Sequence, residues 1–123
     1  MTARIVIHWP RFGPYHTARL RAAHAWFQNR GIDAMGLEIA SQDKIYLWRE
    51  EAFDRLLRYV VFPERSYETV SISEMIRGVS LALHRLRPDA IAINGYSSLD
   101  AWTILALSKV YGCRTILMTD SKV

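Results

Sequence analysis

The sequence predicts an α/β fold, a doubly wound parallel sheet of about five strands in the order 3-2-1-4-5. Three observations lead there. Short β-branched or apolar runs alternate with stretches of helical periodicity through the whole chain. The runs are continuously apolar, the pattern of strands covered on both faces. Crossovers between parallel strands are right-handed, so such an alternation winds outward from its first strand.

Arg4–His8 reads Arg-Ile-Val-Ile-His and is stopped by Pro10, which makes it the first strand. A loop with Pro10, Gly13 and Pro14 follows. His16–Arg30 reads as a helix: Leu20, Ala23 and Phe27 recur at three- and four-residue spacing, and Gly31 stops it. Asp33–Ile39 is the second strand. Over 43–58, Tyr46, Leu47, Trp48, Phe53, Leu56 and Leu57 suit an irregular turn leading into a short helix. Tyr59–Phe62 is a brief buried strand stopped by Pro63.

Ser71 and Glu74 have the spacing of a capping box, a hydroxyl for an orphan amide and an acid three residues on. Behind them Ile72, Met75, Ile76, Val79, Leu83 and Leu86 form one apolar stripe, so Ile72–Arg87 is a helix, ended by Pro88-Asp89. Ala90–Asn94 is a buried strand and Asn94-Gly95-Tyr96 its turn. Ser97 or Ser98 caps a helix running to about Tyr111, with Gly112 as its stop. Arg114–Met118 is a last buried strand, and Thr119-Asp120-Ser121 its exit. The pattern is that of a single Rossmann-like domain over residues 1–123, ending abruptly at a strand that needs cover on both faces.

Half of the 123 residues are apolar and about a quarter are charged, an ordinary globular balance. No apolar run is long enough to span a bilayer. The apolar stretch before Pro10 is too short for a signal peptide, and there is a single cysteine, Cys113. A cytoplasmic home is the expectation. The net charge of +4 comes from arginines spread along the chain rather than clustered on one element. That spread speaks against a nucleic-acid partner and fits a solvated basic surface. It also admits attraction to phosphate-bearing ligands or peripheral contact with an anionic membrane.

The usual phosphate cradles are absent: no G-x-G-x-x-G follows the first strand, and there is no Walker-type lysine loop. No nucleophile elbow and no zinc-spaced histidine pair with a third ligand is present, so neither a cofactor nor a metal is expected. Catalytic residues are not legible. What remains is the rim outside the carboxyl ends of the strands, where ligands bind in such sheets. His16 and Arg19 open the first helix, where free N–H groups favour anions. The plainer reading of the pair is a partly exposed histidine at a loop edge and a surface arginine. His8 ends the first strand and suits either a ligand or a hydrogen-bonded rim position. Asn94, Gly95 and Tyr96 follow the fourth strand: Gly95 permits a tight turn and close backbone approach, and Asn94 can meet hydroxyls or phosphate or bond the strand end. Asp120 follows the fifth strand and can accept from hydroxyls, act as a base or form a turn. Cys113 leads into a buried strand and suits packing.

Arg4-Ile-Val-Ile-His-Trp-Pro, followed by Gly13-Pro-Tyr-His-Thr-Ala-Arg-Leu-Arg-Ala-Ala, resembles the start of GT-B-fold glycosyltransferases of the large, mostly retaining group. Pro88-Asp-Ala-Ile-Ala-Ile-Asn-Gly-Tyr-Ser is similar to a strand and turn of that group, and Gly112-Cys-Arg-Thr-Ile-Leu-Met-Thr-Asp-Ser to the next strand and its acidic exit. The resemblance implies the first part of an N-terminal, acceptor-side domain. The Gly13 loop would approach the sugar-phosphate, with His16 and Arg19 near the acceptor. A nucleotide-sugar would be held only through a C-terminal domain missing from this chain, which also lacks that domain's glutamate pair. The acceptor would be a sugar, a lipid-linked group or a small molecule. A single Gly13 stands where many relatives have two glycines, which weighs against direct diphosphate contact by this loop. Two functions follow: an acceptor-side half of a glycosyltransferase, inactive alone, or a non-catalytic α/β module binding a small ligand or a protein partner.

Overall fold

The computed structural model describes residues 3–10, 14–40, 57–63, 65–95 and 98–118. Among them, five strands form one sheet: β1 (Ala3–Trp9), β2 (Ile32–Ala40), β3 (Arg58–Phe62), β4 (Ala90–Asn94) and β5 (Arg114–Met118). The order is β3-β2-β1-β4-β5 and every pairing is parallel. This is the doubly wound, Rossmann-like fold that the alternation predicts. The turn and short helix expected over 43–58 lie almost wholly outside the described residues.

Among the described residues three α-helices cover the sheet: α1 (Pro14–Gln28), α2 (Ile72–Leu86) and α3 (Leu99–Tyr111). The larger core lies between the sheet and the α2–α3 pair. There Val6, Leu37, Ile39, Ile91 and Ile93 meet Met75, Val79, Ala82, Leu83, Leu86, Ala101 and Ile104. At roughly 1.5–3 kcal/mol for each large apolar side chain taken from water, this face supplies most of the drive to fold. On the opposite face α1 packs Leu20 against Ile7 and Leu57.

Local chemistry sets the helix ends. α1 starts two residues earlier than the periodicity suggests, at Pro14, since a missing N–H costs nothing in a first turn. α2 carries the capping box in full: Ser71 Oγ accepts from the Glu74 amide, and the Glu74 carboxylate accepts from the Ser71 amide. Arg65 holds the same carboxylate. Its α2 crosses β3 closely at Gly78, where a Cβ would stand 2.6 Å from Val61 Cγ1 and 2.7 Å from Phe62 Cζ.

Three expectations need correction. Arg114–Met118 is not buried: Ile116 and Leu117 are 49% and 45% exposed, because β5 is the sheet edge and little lies over it among the described residues. Ser98 is the N-cap residue of α3 but makes no side-chain capping bond. Its hydroxyl goes to Asp100 instead. Tyr59–Phe62, expected buried, is half-buried within β3.

Candidate functional site

Because the strands are parallel, the carboxyl ends of β1 and β4 share one edge of the sheet, and the start of α1 follows that edge. His16, Arg19, Asn94 and Gly95 therefore belong to one rim. Gly13, Tyr96 and Asp120 lie outside the described residues.

At the α1 end of the rim, aromatic rings and a cation form a chain of contacts. The half-buried His16 ring stands 5.0 Å from the ring of Trp9, the last residue of β1, and 5.9 Å from Tyr15. The Arg19 guanidinium lies over the Tyr15 ring, 4.4 Å from its centroid. Tyr15 is 62% exposed, so this cluster faces solvent. It offers an imidazole, a cation and flat apolar surface together.

At the β4 end the backbone is already committed. The Asn94 amide donates to His8 Nδ1 at 3.1 Å. The Gly95 amide donates to the Met118 carbonyl at 2.9 Å, tying the ends of β4 and β5. Neither N–H is left for a ligand anion. Gly95 has φ +71° with open space where a Cβ would stand, so the turn geometry and not crowding asks for glycine. Asn94, the last residue of β4, is half-buried.

Beneath the rim is a network that composition and spacing do not reveal. His8 is fully buried. Its Nδ1 accepts from Asn94, so its proton sits on Nε2, which donates to Asp100 Oδ2 at 2.7 Å. Tyr67 Oη–H donates to Asp100 Oδ1 at 2.8 Å. Burial pushes the Asp100 carboxyl up, but hydrogen bonds from His8, Ser98 and Tyr67 outweigh it and hold it down at about 2. Tyr67 is driven up to about 12, first by burial and then by its bond to that carboxylate. The network joins β1, the 3-10 turn Tyr67–Thr69 and the first turn of α3. His8 thus takes the hydrogen-bonded rim role. A buried ion pair, Arg58 Nε to Glu38 Oε1 at 3.1 Å, links β3 to the later part of β2.

Cys113 is half-buried against the larger core, and its thiol is pushed up by burial and by Asp89. A thiol raised in this way is a poor nucleophile. Among the described residues no three His, Cys, Asp or Glu side chains stand together as metal ligands. None of the described helices is long and apolar enough to cross a membrane.

No family model matches the chain, and no curated protein matches it in sequence. Solved structures do resemble it in shape. A UDP-N-acetylglucosamine 2-epimerase aligns over 96% of this chain and 33% of its own, with TM-score 0.61 and 9% identity. The UDP-GlcNAc 2-epimerase from Neisseria meningitidis, bound to UDP-GlcNAc, aligns over 96% of this chain and 31% of its own, with TM-score 0.54 and 12% identity. The C-terminal domain of a hydrogenase from Pyrococcus furiosus aligns over 96% of this chain and 91% of that domain, with TM-score 0.61 and 16% identity. The chain therefore spans about a third of the length of these epimerases. At such identities the likeness shows the fold alone, a Rossmann-like layer of the kind that GT-B-like enzymes contain.

Proposed function

We propose that this chain is the acceptor-side half of a GT-B-type glycosyltransferase, which moves a sugar from a nucleotide-sugar to an acceptor, and that it is inactive alone. The observation that carries this reading is the solvent-facing cluster of Trp9, Tyr15, His16 and Arg19 at the rim where a doubly wound sheet binds its ligands. Arg19 and His16 suit a phosphate or another anionic group. The ring faces suit the apolar side of a sugar, and the Asn94 amide suits a hydroxyl. Gly13, Tyr96 and Asp120 complete the rim in this reading. The likeness to sugar-nucleotide epimerases over a third of their length supports it.

Inactivity follows from what transfer requires. The leaving diphosphate must be stabilised as charge develops, and donor must be held against acceptor. Among the described residues the rim supplies one cation and one imidazole, and the two amides at its β4 end are already bonded. The donor would be held by a second domain. Mixing the 123-residue chain with radiolabelled nucleotide-sugars and an acceptor panel should give no transfer above background. Time-dependent transfer that His16→Ala abolishes would contradict the proposal.

The second reading is a non-catalytic α/β module that binds a small ligand or a protein partner; this chain aligns over 91% of the hydrogenase's C-terminal domain, a single unit of similar size. A protein or small-molecule ligand whose binding ignores both His16→Ala and Arg19→Gln would support it.

A further inference from the structure

We infer that the exposed face of α1 is a docking surface for an anionic lipid bilayer. This inference does not rest on the glycosyltransferase reading. Tyr15, Arg19, Ala22, Trp26 and Arg30 follow one another at steps of four, three, four and four residues, which places them on one stripe of the helix and its exit. All five are exposed. The adjoining face, through Leu20 and Ala23, is the one packed on the sheet.

The stripe repeats one device at each end. Arg19 lies over the Tyr15 ring at 4.4 Å, and Arg30 lies over the Trp26 ring at 3.5 Å. Arg30 also gives an N–H to the Trp26 carbonyl at 2.9 Å, which fixes its guanidinium against the ring. Tyr15 and Trp26 are 62% and 52% exposed. Ala22 stands on the stripe between the two pairs, with the exposed Ala18 and Ala25 beside it. From Pro14 to Arg30 there is no carboxylate at all.

Charge decides the occupant. A second copy of this face would bring arginine against arginine, which costs association. An acidic protein would seat an aromatic anchor in a pocket, but each ring here already has its own guanidinium over one side. A bilayer surface asks for no pocket. Tyr and Trp belong at the headgroup level, where an edge can enter while the polar end stays wet. The stacked guanidinium then reaches lipid phosphates, to which it can donate two parallel bonds.

The test is cosedimentation of the full chain with vesicles of phosphatidylcholine alone and of an equimolar mixture of phosphatidylcholine and phosphatidylglycerol. Binding is expected to the mixed vesicles only, falling steeply with added salt because the attraction is screened. A blue shift of tryptophan fluorescence should accompany it and disappear in Trp26→Phe. Arg30→Gln should lower the partition coefficient roughly five-fold, with an unchanged circular dichroism spectrum showing that the fold is kept. Both variants lie outside the rim cluster, so failure here leaves the acceptor reading standing. Equal binding to both vesicles, binding to neither, or full binding by Trp26→Ser combined with Arg30→Gln would overturn the inference. Binding to immobilised polyglutamate with none to vesicles would assign the stripe to an acidic protein and overturn it as well.

Discussion

His8 and Asp100 show how much one buried polar contact can set. Asp100 has no exposed surface and accepts from His8 and Tyr67, with Ser98 as a third neighbour. Asp100→Asn would turn one acceptor oxygen into a donor facing donors. The expected cost is ~3 kcal/mol in urea unfolding, since buried donors left unpaired lose their full hydration. The pH dependence has a definite sign. Asp100 is held at about 2 instead of 3.8, so the unfolded chain takes up its proton first as pH falls. The stabilisation, ~2 kcal/mol, is complete above pH 3.8 and is lost as pH falls toward about 2. Glu74, held at about 2 chiefly by Arg65, titrates over the same range with the same sign. Asp100→Asn should therefore flatten part of the acid limb and leave the Glu74 part; an unchanged limb would mean that the network is not what holds Asp100. His8 was open to sequence reasoning because a strand's last residues border the rim. Asp100 was not: an acid in a first helical turn reads as a surface residue favoured by the helix dipole. Its burial depends on Tyr67, 33 residues away.

At the scale of elements, α2 shows why some expectations transfer and others do not. Its apolar stripe and its capping box are local, so the sequence states both: the capping box appears in full, and of the stripe Met75, Val79, Leu83 and Leu86 are buried while Ile72 and Ile76 stand exposed. The reason for Gly78 is not local. It lies where α2 meets β3, against Val61 and Phe62. Elsewhere in a helix, Gly→Ala gains up to ~1 kcal/mol from backbone propensity. Here the new methyl would overlap a β-branched side chain fixed to a strand and a ring at once, a strain of ~1–3 kcal/mol. Gly78→Ala should thus lower the urea midpoint, and a raised midpoint would show that β3 yields easily. β5 marks the complementary failure. Its run of apolar residues predicts a strand correctly, but periodicity cannot say how much cover lies beyond the edge, and Ile116 and Leu117 stand half-exposed.

For the whole molecule, the order β3-β2-β1-β4-β5 was legible because alternation and crossover handedness leave few other topologies. That order brings His16, Arg19, Asn94 and Gly95 to one edge. The amides at the β4 end were out of reach of the sequence, since His8 and Met118 take them through contacts that only the folded sheet creates. In the proposed reading, the ligand chemistry of the rim thus shifts toward Trp9, Tyr15, His16 and Arg19. At the opposite edge Arg4 is tied up by Asp33 at 2.8 Å, the Leu86 carbonyl and the Asp89 carboxylate, which makes that edge a staple. The two edges should respond differently to a sugar phosphate, and nitrogen–proton correlation spectra recorded while titrating a hexose monophosphate compare them directly. Shifts should gather at Trp9, Tyr15, His16, Arg19 and Asn94, leave Arg4, Asp89 and Arg114 unmoved, and fall away in Arg19→Gln. Shifts gathered at Arg4, Asp89 and Arg114, or undiminished in Arg19→Gln, would contradict a ligand rim at the carboxyl ends of the strands.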